Sequence, residues 1–249
     1  HSDVRLMDLQ VFVGYDARER VAWNVCAASM QHHAGDYPVS ISAISRQQLE
    51  ADEVYTRPTE MRDGQRWDVL SDEPCSTDFS LARFWVPFVA GRVGWALFCD
   101  CDFLWRADVR EIMNYADPKC AVMVVPHKHE PAPDDVVKMD KQAQTAYWRK
   151  NWSSLMLWNL GHAGAHRPNL YDLNHWHKHK LHSFWWLAPN EIGFLPECWN
   201  WLEGVSPTTP DGLVHLPKAV HFTRGLPNMP GYENSGYADE WRSYIKRDA

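Results

Sequence analysis

The sequence predicts an α/β protein built on a mostly parallel, Rossmann-type sheet. Two observations predict it: short apolar runs alternate with helix-patterned stretches through the first half, and nearly every run closes on a glycine, proline or aspartate. The 249 residues suffice for one domain, with a regular half over about residues 9–126 and a less regular half over about 127–249. No internal repeat, low-complexity tract or linker divides them.

The elements follow in order. Leu9 to Val13 is an apolar run ending at Gly14, the first buried strand. Asp16 can cap a helix over about 18–32, where Val21, Ala22, Val25 and Ala28 recur at helical spacing. Val39 to Ile44 reads as a second strand, and the charged stretch 51–73 as a surface excursion. Thr77 or Asp78 caps a helix over 79–90, kinked at Pro87. Trp95 to Cys99 is continuously apolar, as a central strand should be, and stops at Asp100. Asp108 opens another helix, Ala121 to Val125 another strand, and Leu155 to Asn159 another. A His- and Trp-rich helical region then runs to about Trp186.

Bulk composition narrows the function. A net charge of −7 argues against a nucleic-acid groove, which needs clustered Lys and Arg. A phosphate-bearing small ligand stays compatible, because a divalent metal can supply positive charge locally. No apolar run approaches the roughly 20 residues of a membrane span, and no secretory pattern opens the chain. The six cysteines lack zinc-like pairing and fit free thiols in a reducing compartment, so a cytoplasmic protein, or one peripheral to a membrane, is expected. Fourteen tryptophans offer faces for sugar rings or bases, although most such residues are core.

Chemistry concentrates where strands end. Ligands of parallel α/β sheets sit at the carboxyl ends of the strands, and both Gly14-Tyr15-Asp16 and Asp100-Cys101-Asp102 fall there. Two carboxylates one residue apart at a strand end can converge on Mn²⁺ or Mg²⁺, which can bridge a diphosphate. The plain alternative is a helix-capping Asp beside a solvated one.

The motif order resembles the retaining GT-A glycosyltransferases of family 8, the glycogenin and lipopolysaccharide-galactosyltransferase type. Val11-Phe12-Val13-Gly14-Tyr15-Asp16 resembles the opening nucleotide-binding turn, and Ser80-Leu81-Ala82-Arg83 the helix whose Arg contacts the donor. Asp100-Cys101-Asp102 resembles the DxD motif, Asn159-Leu160-Gly161 the Asn-x-Gly sugar segment, and Leu195-Pro196 with Trp199-Asn200 the LP..WN signature. His221 through Gly225 resembles the late segment whose His completes the metal site.

The resemblance implies a GT-A-like sheet with an irregular acceptor-side lobe. It implies transfer of a hexose from a nucleotide diphosphate sugar, a UDP-hexose, to a carbohydrate or other hydroxyl acceptor with retention. Asp100, Asp102 and His221 would hold the metal. Val13, Gly14, Tyr15, Asp16, Arg83, Cys101, Asn159, Gly161 and Gly225 would line the donor, with Tyr15 stacked on the base. Two features depart from the family: no Lys follows Gly225, leaving Arg224 or Lys218 as substitutes, and the Asp-Gln-Asp segment survives only as Pro189-Asn190-Glu191. Asn190 and Glu191 are therefore the candidates beside the reacting carbon.

Other signals compete. His175 and His179 stand at i,i+4 and could ligate zinc as a metal hydrolase would, but interleaved lysines favour an exposed basic helix. His127 and His129 read as a solvated loop. A non-catalytic sugar- or nucleotide-binding module is the remaining rival.

Overall fold

The computed structural model describes residues 9–127, 152–207 and 216–246. His129 lies outside them. Twelve strands are present among these residues. The first six are β1 (Leu9–Gly14), β2 (Ser40–Ile44), β3 (Thr59–Arg62), β4 (Gln65–Asp68), β5 (Glu73–Pro74) and β6 (Trp95–Cys99). The others are β7 (Phe103–Trp105), β8 (Val122–Val124), β9 (Leu155–Asn159), β10 (Ile192–Phe194), β11 (Trp201–Leu202) and β12 (Ala219–His221).

The central sheet has the order β10-β8-β9-β6-β1-β2. Its runs are apolar because helices and loops cover both faces: β6 from Ala96 to Cys99 and all of β9 are buried. Helix Arg20–His33 packs on β1 and β7, burying Ala22, Val25, Cys26 and Met30. β1 pairs in parallel with β2 and β6, but β9 runs antiparallel to both β6 and β8. The sheet is thus mostly parallel, with one reversed strand at its centre. A second sheet, β11-β12-β7, stands beyond β6 and sets β12 antiparallel to β7.

Several expectations change in detail. The 51–73 stretch carries an antiparallel meander of β3, β4 and the start of β5. It is pinned by a buried ion pair, Arg57 Nη2 to Asp68 Oδ2 at 2.7 Å, and Arg57 Nη1 also donates to the Leu173 and Trp176 carbonyls. Buried charges survive when every hydrogen-bonding atom finds a partner, as here. The 79–90 segment is a 3-10 turn, Ala82–Trp85, followed by helix Val86–Ala90. Pro87 falls in the first turn of that helix, where its missing N–H is not needed, so it starts the helix instead of kinking it. After Asp108 the helix is 3-10, Val109–Tyr115.

The His- and Trp-rich region forms two short helices, Leu170–His175 and Lys178–His182, because Trp176 is extended (ψ 145°). His175 and His179 therefore do not share a helix face, which removes the geometry assumed for a zinc pair. His175 Nδ1 meets the Tyr171 carbonyl at 2.7 Å, and His179 pairs with Glu73. Five tryptophans, Trp85, Trp105, Trp158, Trp199 and Trp241, are fully buried, so much of the Trp enrichment is core.

Candidate metal centre

The site forms where the two sheets meet. β6 delivers Asp100 at its carboxyl end, and three residues later β7 begins, so Asp102 is held between the sheets. β12 pairs His221 with Phe103, which brings the imidazole against Asp102 from more than a hundred residues away. Its ring stacks on Phe103 at 4.4 Å between centroids. Two backbone bonds lock the loop: Asp100 N–H donates to Ser154 O, and Phe222 N–H to Asp102 O, each at 2.9 Å.

Asp100, Asp102 and His221 each offer a ligand atom, and these atoms lie within 4.8 Å of one another. His221 Nε2 is 3.1 Å from Asp102 Oδ1 and 3.9 Å from Asp100 Oδ2. The other ring nitrogen, Nδ1, donates to Asn200 Oδ1 at 3.0 Å, and the Asn200 amide donates in turn to Ser154 Oγ at 2.9 Å. A proton committed to Nδ1 leaves the Nε2 lone pair facing the carboxylates, the tautomer a metal requires. Asp100 Oδ1 and Asp102 Oδ1 are buried and ion-paired, the first with Arg83 Nη1 at 2.9 Å and the second with His221 Nε2 at 3.1 Å. Two carboxylates and an imidazole thus crowd together with a surplus of acceptor atoms.

Electrostatics express the same surplus. Burial pushes the Asp100 carboxyl up to about 6, against the opposing pull of Arg83 and with repulsion from Asp102 adding to it. Burial works against the His221 imidazolium, but Asp102 and Asp100 outweigh it and raise its pKa. A divalent cation satisfies these atoms as a proton on His221 would. Hard carboxylate oxygens with one imidazole nitrogen suit Mn²⁺ or Mg²⁺.

Arg83 is buried beside the cluster, its Nη1 2.9 Å from Asp100 Oδ1. Its Nε donates to Ser80 O at 3.0 Å and its Nη1 to Ser153 O at 2.9 Å, with the Phe79 and Phe98 rings nearby. Tyr15 is half-buried at the end of β1, edge-on to Trp23 at 6.3 Å. Gly14 lies so close to Phe79 that a Cβ would stand 2.5 Å from the ring, so only glycine fits. Val13 is fully buried and its carbonyl takes the Trp23 indole N–H. The Asp16 carboxylate already accepts four hydrogen bonds, three from Arg18 and one from Asp78 N–H. It acts as a helix cap and is fully engaged. A cleft of about 250 Å³ opens beside it, lined by Asp16, Arg18, Arg46, Arg66, Thr77 and Asp78. Cys101 is buried and gives its thiol hydrogen to Glu19 at 3.3 Å, leaving only its backbone for a ligand. Gly225 makes room for the Tyr232 ring, 2.4 Å from where a Cβ would be.

Four expected site residues are not brought to this edge. Because β9 is reversed, Asn159 pairs with Trp95 at the start of β6, roughly 15 Å along the strand from Asp100 at about 3.3 Å per residue. Gly161 follows at that far edge, its N–H bound to Asn159 Oδ1, while the Asn159 amide braces the Pro118 and Cys120 carbonyls. Asn190 and Glu191 precede β10, whose Ile192 pairs with Val122, which in turn pairs with Trp158 and so lies level with Ala96. Glu191 is held well below the usual carboxylate range by Arg167, 2.9 Å away, and by the Ala188 N–H. Lys218 pairs with Glu111 and Arg224 with Glu203, so both proposed diphosphate cations are already engaged.

Conversely, Ser153, Ser154 and Asn200 stand beside the Asp100–His221 cluster, although none of them was among the expected site residues. The one sequence signal was the position of the serines just before the apolar run of β9. Asn200 closes the LP..WN signature, and its two side-chain bonds give that motif a physical purpose.

No family model matches the chain. The structure is similar to the galactosyltransferase LgtC solved with donor and acceptor sugar analogs, with a TM-score of 0.60, 12% identity and 95% of each chain covered. It is also similar to the bifunctional glycosyltransferase WbbM (TM-score 0.60, 14% identity, 96% of this chain and 50% of that one). Similarity to the glycosyltransferase GlyE of Streptococcus pneumoniae TIGR4 has a TM-score of 0.58, at 11% identity, covering 97% of this chain and 62% of that one. These likenesses establish the fold as that of the GT-A glycosyltransferases. In sequence, the chain is 38% identical to Protein CDI of Arabidopsis thaliana over 232 residues, 93% of this chain and 84% of the plant protein. The chain therefore belongs to the family of Arabidopsis Protein CDI.

Proposed function

We propose that the protein is a metal-dependent glycosyltransferase that moves a hexose from a nucleoside diphosphate sugar, a UDP-hexose, to a hydroxyl acceptor, in the manner of the retaining family 8 enzymes. The observation that carries this reading is the Asp100–Asp102–His221 cluster, whose ligand atoms lie within 4.8 Å of one another at the carboxyl edge of a GT-A sheet. These three residues would hold Mn²⁺ or Mg²⁺. A cation there supplies Lewis-acid stabilisation to the departing diphosphate.

The chain's own groups do the rest. Asn200 fixes the His221 tautomer, so the imidazole presents a lone pair to the cluster. Arg83 contributes a fixed positive charge beside Asp100, suited to a diphosphate oxygen through its planar fork. Tyr15 offers a half-buried ring for the base, with the neighbouring arginine-lined cleft on the same side. Retention draws support from Glu191: the acceptor-base candidate of the sequence is committed to Arg167 at the other end of the sheet.

A panel of nucleoside diphosphate sugars screened by thermal shift with Mn²⁺ identifies the donor, since ligands of the native state raise the melting temperature with occupancy. Nucleotide release from that donor, with and without an acceptor, then separates a transferase from a non-catalytic binding module. Absence of any donor stabilisation in Mn²⁺, together with no turnover, would defeat this reading.

A further inference from the structure

The sequence offers Asp16 to the donor, yet both of its oxygens are occupied within the protein. Oδ1 takes the Arg18 backbone N–H and Nε–H, and Oδ2 takes Arg18 Nη2 and the Asp78 N–H. The same turn carries a second carboxylate. Glu19 closes the 3-10 turn Ala17–Glu19, just before helix Arg20–His33, and its N–H donates to Asp16 O at 2.9 Å. Its half-buried side chain reaches the metal loop, where Oε2 accepts the thiol hydrogen of Cys101, the residue between Asp100 and Asp102, at 3.3 Å.

Glu19 keeps the bonding capacity that Asp16 has lost. Among the described residues it joins no ion pair and Oε1 makes no hydrogen bond, while the thiol on Oε2 is a weak donor. Burial raises its pKa against the pull of that thiol, and the charges of Asp102 and Asp16 add to the rise. A hydroxyl donor brought to this carboxylate would stabilise its charged form. In the glycosyltransferase reading the base stacks at Tyr15 and the diphosphate meets the Asp100–Asp102–His221 cluster. The ribose that joins them then lies between the turn after β1 and the metal loop, the two segments that Glu19 bridges. A ribose presents two adjacent hydroxyls that can donate, and an ionised carboxylate only accepts.

We propose that Glu19 is the ribose-recognising residue of the donor site, its carboxylate accepting the adjacent ribose hydroxyls while the Cys101 thiol holds it against the metal loop. The inference rests on the glycosyltransferase reading and assigns to Glu19 the contact that the motif places on Asp16. Calorimetry on the Mn²⁺-loaded full chain tests it with two probes, UDP and dideoxyuridine diphosphate, which lacks both ribose hydroxyls. Wild type should bind UDP about tenfold or more tightly than the dideoxy analogue, the usual strength of a hydrogen bond to a charged group. In Glu19→Ala that preference should shrink to less than about twofold, through weaker UDP binding and not through tighter binding of the analogue. Glu19→Gln, which keeps the length and one acceptor oxygen, should hold an intermediate preference.

A hydroxyl preference that survives in Glu19→Ala would overturn the proposal while leaving the glycosyltransferase reading in place. So would a preference that Asp16→Asn removes and Glu19→Ala does not, since the ribose would then belong to Asp16. Equal binding of the two probes by wild type would show that no side chain reads the hydroxyls. Failure of wild type to bind either probe would count against the uridine nucleotide itself, and the Glu19 assignment would fall with it.

Discussion

The two ends of the central sheet carry similar residue types in opposite states. At the far edge Glu191 and Asn159 are saturated: the carboxylate holds Arg167 and the Ala188 N–H, and the amide braces two carbonyls. At the carboxyl edge half-buried Asp100 and Asp102 crowd beside buried His221, with Arg83 as the one fixed cation paired with them among the described residues. A saturated polar group is scaffold, since its bonds repay its desolvation. Two carboxylates crowded against one imidazole repel each other, and a cation between them relieves that repulsion. The contrast teaches that residue identity alone does not mark a site; convergence of ligand atoms does.

Breaking the crowded edge should have the largest effect. Asp102→Ala should abolish metal-dependent donor binding and transfer while circular dichroism and melting show a retained fold. Wild-type turnover in this variant in the presence of EDTA would end the metal hypothesis. Asn200→Ala, one shell out, should cost about 10- to 100-fold in metal affinity, the usual range for a residue that orients a ligating histidine. Metal titration by calorimetry checks it, and an unchanged affinity would show that His221 needs no orienting partner. Tyr15→Ala should weaken nucleotide binding by about 1–3 kcal/mol, the cost of an aromatic–base stack; UDP calorimetry decides whether the ring faces the base.

The comparison sharpens with pH. Burial pushes Asp100 up to about 6, yet it must be ionised to ligate, and His221, its pKa raised by Asp102 and Asp100, must lose its proton. Protons therefore compete with metal on the acid side. Lowering pH from 7 to 5 should reduce Mn²⁺ affinity about tenfold through Asp100 alone, with His221 adding to the loss. A flat profile over that window would contradict the burial argument. The smallest effect belongs to the saturated edge: Glu191→Gln should change turnover less than about twofold and stability by about 0.2–1 kcal/mol, as for a partly exposed ion pair. A large loss of rate there would return Glu191 to the reaction.

Much of this was legible in the residues and some was not. β1, β6 and β9 announce themselves as continuous apolar runs, and Asp100 and Asp102 follow from where β6 stops. Apolar periodicity carries no direction, however. Nothing in Leu155 to Asn159 says that the strand is reversed, and that reversal carries Asn159 and Gly161 to the end away from Asp100 while bringing Ser153 and Ser154 toward it. The meander stayed hidden for another reason: β3 and β4 are short and polar, stabilised by the Arg57–Asp68 pair and not by an apolar face.

Asp100, Asp102 and His221 are proposed to make one metal site. Calorimetric titration of Mn²⁺ into the metal-stripped protein at pH 7.5 (roughly 1.5 units above the Asp100 value) tests this most directly when wild type is set beside His221→Ala and beside His175→Ala/His179→Ala. Stoichiometric binding is expected in wild type, its loss in His221→Ala, and unaltered affinity in the double histidine variant. Binding that survives His221→Ala, or that disappears with His175 and His179, would contradict it.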